Sequence, residues 1–405
     1  MHSSLAVLAK SKQGSDSVQL ETDVHFNLWD VYTKNTLRKS KKVRFLDIGI
    51  KIINIAEFDS IKVFLPFTFP ASELTDLHGC LYNNSDLVRT IFNENLSFTN
   101  VNHNLSLVDF DLYNVKFFIH SIPLDSEDLV KINEKEYRYN GKLLKCTTIE
   151  FTNKLVDSYC KSQEDYLKVE CEKDNILKDS KIKDSYIRFR VPLHVNGEPF
   201  ISEYKPIAQY ITGAFEKYEV VDLRLNEVRN LPKELYHDIN SNNLKFCSRN
   251  VQYFLIKDAW SEYQLSHNSF NKARTLETGA WKDYLLYKST DDDFQKKLDE
   301  NSLMIIYHWK DKKKTSENKN EEKHDFLSFS ALAKFKEAKS GLKHISLFVI
   351  VLLTLSVGAS LVASRLYEDN FSQTLTDRGG DGFTPPTTIS KKGSNLVPTD
   401  GEVNE

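Results

Sequence analysis

Residues 43–69 read VRFLDIGIKIINIAEFDSIKVFLPFTF, two runs dense in Ile, Val and Phe on either side of a polar break at Glu57–Ser60. β-Branched and aromatic side chains pack well on a pleated surface, so the runs predict two adjacent strands. Just upstream, VQLETDVHFNLWDVY begins at Val18 and alternates partly, which predicts a further strand. Residues 1–17 are polar and rich in Ser and Lys, and predict a loose N-terminal arm.

Downstream the period changes. Leu74, Leu77, Leu81, Leu87, Val88 and Ile91 recur at helical spacing and predict one or two short helices. Alternation returns from Ser106 to Ile122. Asn140-Gly141 joins EKEYRY to KLLKCTTIEF, and Asn196-Gly197 joins SYIRFRVPLHV to EPFISEY. Asn-Gly suits the positive φ angles of a type I′ turn, so both predict antiparallel hairpins. Between them lies a strongly charged stretch with Leu155, Tyr159, Tyr166 and Val169 on one helical face, read as an exposed helical connector over 156–184. Strands resume at YEVVDLRL, at VQYFLI (Val251–Ile256) and at LMIIYHW (Leu303–Trp309).

These readings define an α+β class with a β-rich cytoplasmic body, divided into a first lobe (18–155) and a second lobe (185–309). After it, residues 310–325 form a mixed-charge linker. Residues 326–344 place Phe326, Phe329, Leu332, Ala333 and Phe335 on one face, which predicts an amphipathic helix on a membrane surface with its lysines toward anionic headgroups.

Next comes ISLFVIVLLTLSVGASLVAS, residues 345–364, without a formal charge and with twelve Leu, Ile, Val or Phe. As a helix it is about 30 Å long, the thickness of a hydrocarbon core. Its apolar residues contribute about −4 to −7 kcal/mol toward insertion. The segment predicts a single transmembrane helix. The apolar run Leu5–Ala9 is too short for a signal peptide, and Lys334, Lys336, Lys339 and Lys343 precede the span. The expected placement is the inner, cytoplasmic membrane, with the N-terminus cytoplasmic and a disordered tail, 365–405, outside. Ser356, Ala359, Ser360 and Ala363, with Gly358 beside them, form a small-residue face, and small residues let helix backbones approach, so a homo-oligomer is expected.

Composition narrows the function. The 54 Lys and Arg nearly balance 57 Asp and Glu, a formal charge of −3, so nucleic acid is not indicated as a partner. The six glycines between Ser15 and Ser340 are too far apart for a phosphate-binding loop or a nucleophile elbow. The 5 cysteines include no C-x-x-C and read as free thiols, and the histidines lack zinc spacing. No catalytic motif is recognisable, and no cofactor is required.

Weaker signals remain. Asp109 and Asp111 form a D-x-D suited to magnesium, with exposed strand polarity as the simpler explanation. Glu203, with Lys205 and Asp184, loosely matches a D…E-x-K nuclease arrangement. Arg188 and Arg190 on one strand, with Arg224 and Arg229, offer an anion-binding face, or surface ion pairs with Asp222 and Glu227. Arg38, Lys39, Lys41, Lys42 and Arg44 make the densest positive patch, facing a membrane or polyanion. Asp291-Asp292-Asp293 reads as a helix cap. Trp260, Tyr263, Trp281, Tyr284 and Tyr287 read as core or partner surface.

The expectation is a single-pass membrane protein whose cytoplasmic body binds an unidentified ligand or protein partner and acts through oligomerisation, as a sensor, scaffold or membrane effector. The Asn, Lys, Phe and Tyr bias fits an AT-rich bacterial genome, with envelope function or antiviral defence as settings. The rival expectation is a membrane-tethered, metal-dependent phosphodiesterase, nuclease or nucleotide-processing enzyme.

Overall fold

A computed structural model describes residues 3–12, 19–32, 42–82, 84–92, 94–110, 112, 115–139, 141–173, 182–193, 200–204, 216–266, 270–288, 303–312, 327–338 and 342–376. The chain divides into two compact units, Met1–Lys339 and Ser340–Glu405.

Three sheets build the first unit. The largest runs β17 (Lys272–Glu277), β18 (Leu303–Lys312), β15 (Ser248–Asp258), β2 (Glu21–Tyr32), β3 (Lys42–Ile53), β11 (Ser185–Pro192), β8 (Val115–His120), β7 (Leu105–Phe110) and β6 (Ser97–Asn102), with β5 (Thr75–Asp76) paired to β11. A second runs β14 (Lys245–Phe246), β1 (Ala6–Ser11), β4 (Phe58–Leu65), β10 (Lys142–Phe151) and β9 (Val130–Tyr139). The third runs β12 (Ile201–Tyr204), β13 (Glu216–Leu225), β19 (Phe329–Ala338) and β16 (Glu262–Ser266). Pairing is antiparallel except between β15 and β2 and between β11 and β8.

Alternation decides which side chains meet. Along β2, Val24, Phe26 and Leu28 enter a core shared by all three sheets. Trp29 and Val31 enter a second core, covered by α1 (His78–Tyr82), α2 (Ser85–Phe92) and α5 (Thr278–Leu286). On the five-stranded sheet, Ala6, Leu8 and Phe64 pack under Leu235 and Ile239 of α4 (Lys233–Ser241).

The Asn140-Gly141 hairpin forms: β9 and β10 pair antiparallel, and Gly141 takes φ +78°. The expected short helices are α1 and α2. The second unit contains α6 (Leu342–Thr376), which includes the apolar segment.

Five expectations are corrected. Residues 1–17 are not wholly a loose arm, because β1 lies between β14 and β4 and buries Leu5–Ala9; a short apolar run suffices when strands flank it on both sides. The body is one unit rather than two lobes, since β2 and β3 pair with β15 and β11 from the other half of the chain. Helix α3 (Asn153–Lys173) is not simply an exposed connector, because Leu155, Val156 and Tyr159 anchor it in the shared core. Strands β11 and β12 pair with β3 and β13, not with each other, while residues 194–199 at their expected turn lie outside the described set. Likewise β3 and β4 are consecutive but enter different sheets, parted at Asn54, whose φ of 55° is the left-handed conformation Asn tolerates.

The remaining difference concerns 326–344. Phe329–Ala338 is not an amphipathic helix but the strand β19, paired with β13 along ten residues from Leu225↔Phe329 to Glu216↔Ala338. Phe329, Ala331, Ala333 and Phe335 are buried, whereas Leu332, Lys334 and Lys336 alternate with them at half-buried positions. A short run of this composition satisfies both a period of two and a period near four, and the open edge of β13 decides between them. The core therefore continues past the linker expected at 310–325, whose first residues, Lys310–Lys312, extend β18.

Candidate functional site: a buried charge cluster between two sheets

Asp30, Lys42, Arg44 and Lys257 project from β2, β3 and β15 of the ten-stranded sheet, and Glu219 and Glu337 from β13 and β19 of the four-stranded sheet. All six continue the core-facing phase of their strands. Asp30 follows Val24, Phe26 and Leu28; Lys257 follows Tyr253 and Leu255; Glu337 follows Ala331, Ala333 and Phe335. The alternation that buries the apolar residues therefore buries these charges too.

They neutralise one another. Lys42 Nζ lies 3.2 Å from Asp30 Oδ2, 2.6 Å from Glu219 Oε1 and 2.9 Å from Glu337 Oε1. Arg44 Nε donates to Asp30 Oδ1 at 2.7 Å, and its Nη2 to Glu219 Oε1 at 2.9 Å. Lys257 Nζ reaches Asp30, Glu219 at 2.7 Å and Glu337 at 3.3 Å, and stands 4.8 Å from the centroid of the Phe335 ring. Ser261 Oγ donates to Glu337 Oε1 at 2.9 Å. Asp30, Glu219 and Glu337 thus face Lys42, Arg44 and Lys257, and Lys217, which also pairs with Glu203, reaches Glu219 Oε1 at 3.0 Å.

Burial by itself pushes the Asp30 carboxyl upward, but Lys257, Lys42 and Arg44 outweigh it and hold it at about 2. Glu219 is likewise held well below the usual carboxylate range against its burial by Lys257, Lys42 and Arg44. Burial lowers Lys42, yet Asp30, Glu219 and Glu337 outweigh it and raise its pKa. Each ion is thus charged because its partners are.

The oxygens of Asp30, Glu219 and Glu337 lie within 4.8 Å of one another, close enough to hold a cation. Lys42 and Lys257 already fill that role, each contacting all three carboxylates, so a divalent ion would have to displace both. What the arrangement does physically is fasten β13 and β19 to β2, β3 and β15. Removing one partner leaves a buried charge uncompensated, at a cost of about 3–5 kcal/mol.

The sequence-derived sites fall elsewhere. Arg188 and Arg190 do share one face of β11, but it is the face under α5, and both are buried. Arg190 Nε donates to Asp47 Oδ1 at 2.7 Å, and its Nη1 donates to the carbonyls of Tyr284 and Leu285. Arg188 donates to the hydroxyls of Tyr284 and Tyr186, at 2.9 and 3.0 Å. Arg224 pairs with Asp222 at 2.7 Å on β13, and Arg229 lies in a short 3-10 turn, so the four arginines are not brought into one anion-binding face.

Asp109 is ion-paired to Lys116 at 2.6 Å, and Asp111 lies outside the described residues. Glu203 pairs with Lys217 on the four-stranded sheet, Lys205 is outside the described residues, and Asp184 pairs with Lys51 at 3.1 Å. Of the basic patch, Arg44 is buried in the charge cluster and the half-buried Lys42 turns its side chain into it, while Arg38, Lys39 and Lys41 lie outside the described residues, as do Asp291-Asp292-Asp293.

On α6, Gly358, Ala359 and Ala363 line a shallow open groove with Thr354, Leu355, Val362 and Leu366. Ser356 and Ser360 belong to the same helix but not to that lining. Residues Val349–Glu368 have a mean hydropathy of 2.0 and none of that stretch is buried, so this helix is long and apolar enough to cross a membrane.

Sequence reasoning missed Asp30, Glu219, Lys257 and Glu337. The available signal was phase: a charge that keeps step with buried apolar neighbours along a strand points inward and needs a partner there. No known protein family matches the chain, and no curated protein matches it.

Proposed function

We propose that this chain is a single-pass membrane protein whose β-rich body, on the cytoplasmic side, binds a ligand or protein partner and acts through self-association of α6. The observation that carries the reading is the exposure of α6: the largely apolar stretch Val349–Glu368, with a mean hydropathy of 2.0, has none of its length buried. Water is a poor solvent for such a helix, and lipid is a good one. The groove over Gly358, Ala359 and Ala363 supports close helix approach, which in lipid depends on packing rather than on hydrophobicity.

The test is membrane fractionation of the full chain followed by an alkaline carbonate wash, with protease accessibility from each side. Retention in the washed pellet, with the body digestible only from the cytoplasmic side, supports the reading. Release by carbonate, or a body protected on that side, overturns it.

A further inference from the structure

We propose that Lys257 Nζ and the Asp30 side chain join in an intramolecular isopeptide bond, with Glu219 relaying the protons. Lys257 on β15 and Asp30 on β2 are paired residues of adjacent parallel strands, so their side chains leave the sheet on the same face, side by side. Lys257 Nζ touches Asp30 Oδ2, and Lys257, Asp30 and Glu219 are 1%, 1% and 0% exposed. A nitrogen in contact with a carboxylate oxygen lies about 3–3.5 Å from its carbon, a near-attack distance that the strand pairing holds in place. Lys42 also reaches Asp30 Oδ2, but at 3.2 Å and from a half-buried position, which leaves Lys257 as the nucleophile.

The neighbours supply what the condensation needs. Glu219 Oε2 stands 2.7 Å from Lys257 Nζ, placed to take its protons. Arg44 Nε donates to Asp30 Oδ1 at 2.7 Å, and this fixed cation stabilises the charge that gathers on that oxygen when the carbon becomes tetrahedral. Lys257 starts as an ammonium and Asp30 as a carboxylate. The ammonium passes a proton to Glu219, the freed amine attacks Cγ of Asp30, and the N–C bond forms. Glu219 delivers that proton, and then a second one from the nitrogen, to Oδ2; the C–Oδ2 bond breaks and water leaves. The balance needs no oxidant or reductant, and Glu219 ends as it began.

Burial favours the product, because an ammonium and a carboxylate are costly away from water whereas an amide carries no charge. One cation and one anion disappear together, so Lys42 and Arg44 still face Glu219 and Glu337. The bond links residues 227 apart, and fastens β2 to β15 covalently inside the ten-stranded sheet. A cross-link closing so long a loop restricts the unfolded chain strongly.

The full-length protein, purified in detergent and incubated, is unfolded in denaturant, digested with trypsin and read by mass spectrometry. Trypsin does not cut after an acylated lysine, so the expected product is a branched peptide joining residues 13–34 to residues 250–272, lighter by one water than its two arms. Recovery of the Asp30 peptide and of peptides cut after Lys257, with no branched product, overturns the proposal. Lys257→Arg keeps the positive charge without the amine; it should yield no branched peptide and migrate more slowly than wild type after denaturation in SDS, as an open chain does. Equal migration of the two overturns the cross-link as well. Glu219→Gln keeps the shape and loses the base, and should form the bond at least about tenfold more slowly. An unchanged rate overturns Glu219 as the relay.

Discussion

Lys42 Nζ on β3 and Glu337 Oε1 on β19 stand 2.9 Å apart although 295 residues separate them in the chain. The contact bridges the ten-stranded and four-stranded sheets next to the last residue of β19, Ala338. Its consequence for stability is direct. Lys257→Met should destabilise the body by about 3–5 kcal/mol, since Asp30 and Glu219 lose a buried counter-ion. Lys154→Ala, which removes an exposed pair with Asp128, should change stability by less than about 0.5 kcal/mol. Urea titration followed by tryptophan emission compares the two.

Tyr284→Phe tests the second buried polar group. The Tyr284 hydroxyl donates to Asp47 Oδ2 at 2.7 Å and accepts from Arg188 Nε at 2.9 Å. Deleting it leaves both partners short of a hydrogen bond without changing the packing much, and should cost about 1–3 kcal/mol, seen as a lowered Tm.

Acid should unfold the body through its buried histidines. Burial lowers His78 to about 4 and His120, also beside His78, to about 3, from an ordinary 6.5. An unfolded histidine binds a proton below 6.5 and the folded one does not, so their contribution is complete above pH 6.5 and is lost as pH falls toward 4 and 3. Each gives a slope of up to about 1.4 kcal/mol per pH unit. Asp76 opposes them: burial raises it to about 6 against its hydrogen bonds from Ser121 and His78, so its cost to the fold grows from pH 3.8 up to 6. Between pH 4 and 6 the histidines outweigh Asp76, because burial lowers His25 and His308 as well, so stability should keep a positive slope with pH. Asp76→Asn should steepen that slope and His120→Gln should flatten it, in denaturant titrations taken at several pH values.

Phe335→Ala distinguishes a packed strand from a surface helix. Phe335 is fully buried against Tyr263 and Tyr307, so truncation should cost about 3–5 kcal/mol. Leu332→Ala, one face away on the same strand and half-buried, should cost less than half as much in the same thermal scans.

Ala359→Ile combined with Gly358→Ile should fill the groove on α6 and hold helix backbones apart. Cross-linking in membranes should report at least about tenfold weaker self-association, equivalent to about 1.4 kcal/mol, with the body still folded. An undiminished cross-linked oligomer would reduce α6 to an anchor.

Much of the architecture was legible locally. Ile345–Ser364 is apolar for the length of a bilayer, and no partner is needed to read that. Asn140-Gly141 closes its hairpin because the positive φ the turn requires belongs to Gly141 itself. The strands within 43–69, at YEVVDLRL and at Val251–Ile256 were visible in the same way, through residue type and alternation, although the break expected at Glu57–Ser60 falls earlier, at Asn54–Glu57, and Phe58 already begins β4.

Other features depended on neighbours distant in sequence. Phe329–Ala338 carries both a helical and a strand period, and only the presence of β13 and β16 on its two sides selects the strand. Leu5–Ala9 becomes a core strand because β4 and β14 flank it. Lys42 and Arg44 belong to a run of positive charge that reads as surface, yet β3 turns them inward to carboxylates of β2, β13 and β19. By itself, then, the sequence determined the β-rich composition, the local turn and the membrane-length helix, whose causes lie within a few residues of one another. Tertiary structure decided sheet membership and the fate of the charges, because a hydrogen-bonded edge or a counter-ion exerts its effect only when folding brings it within a few ångströms.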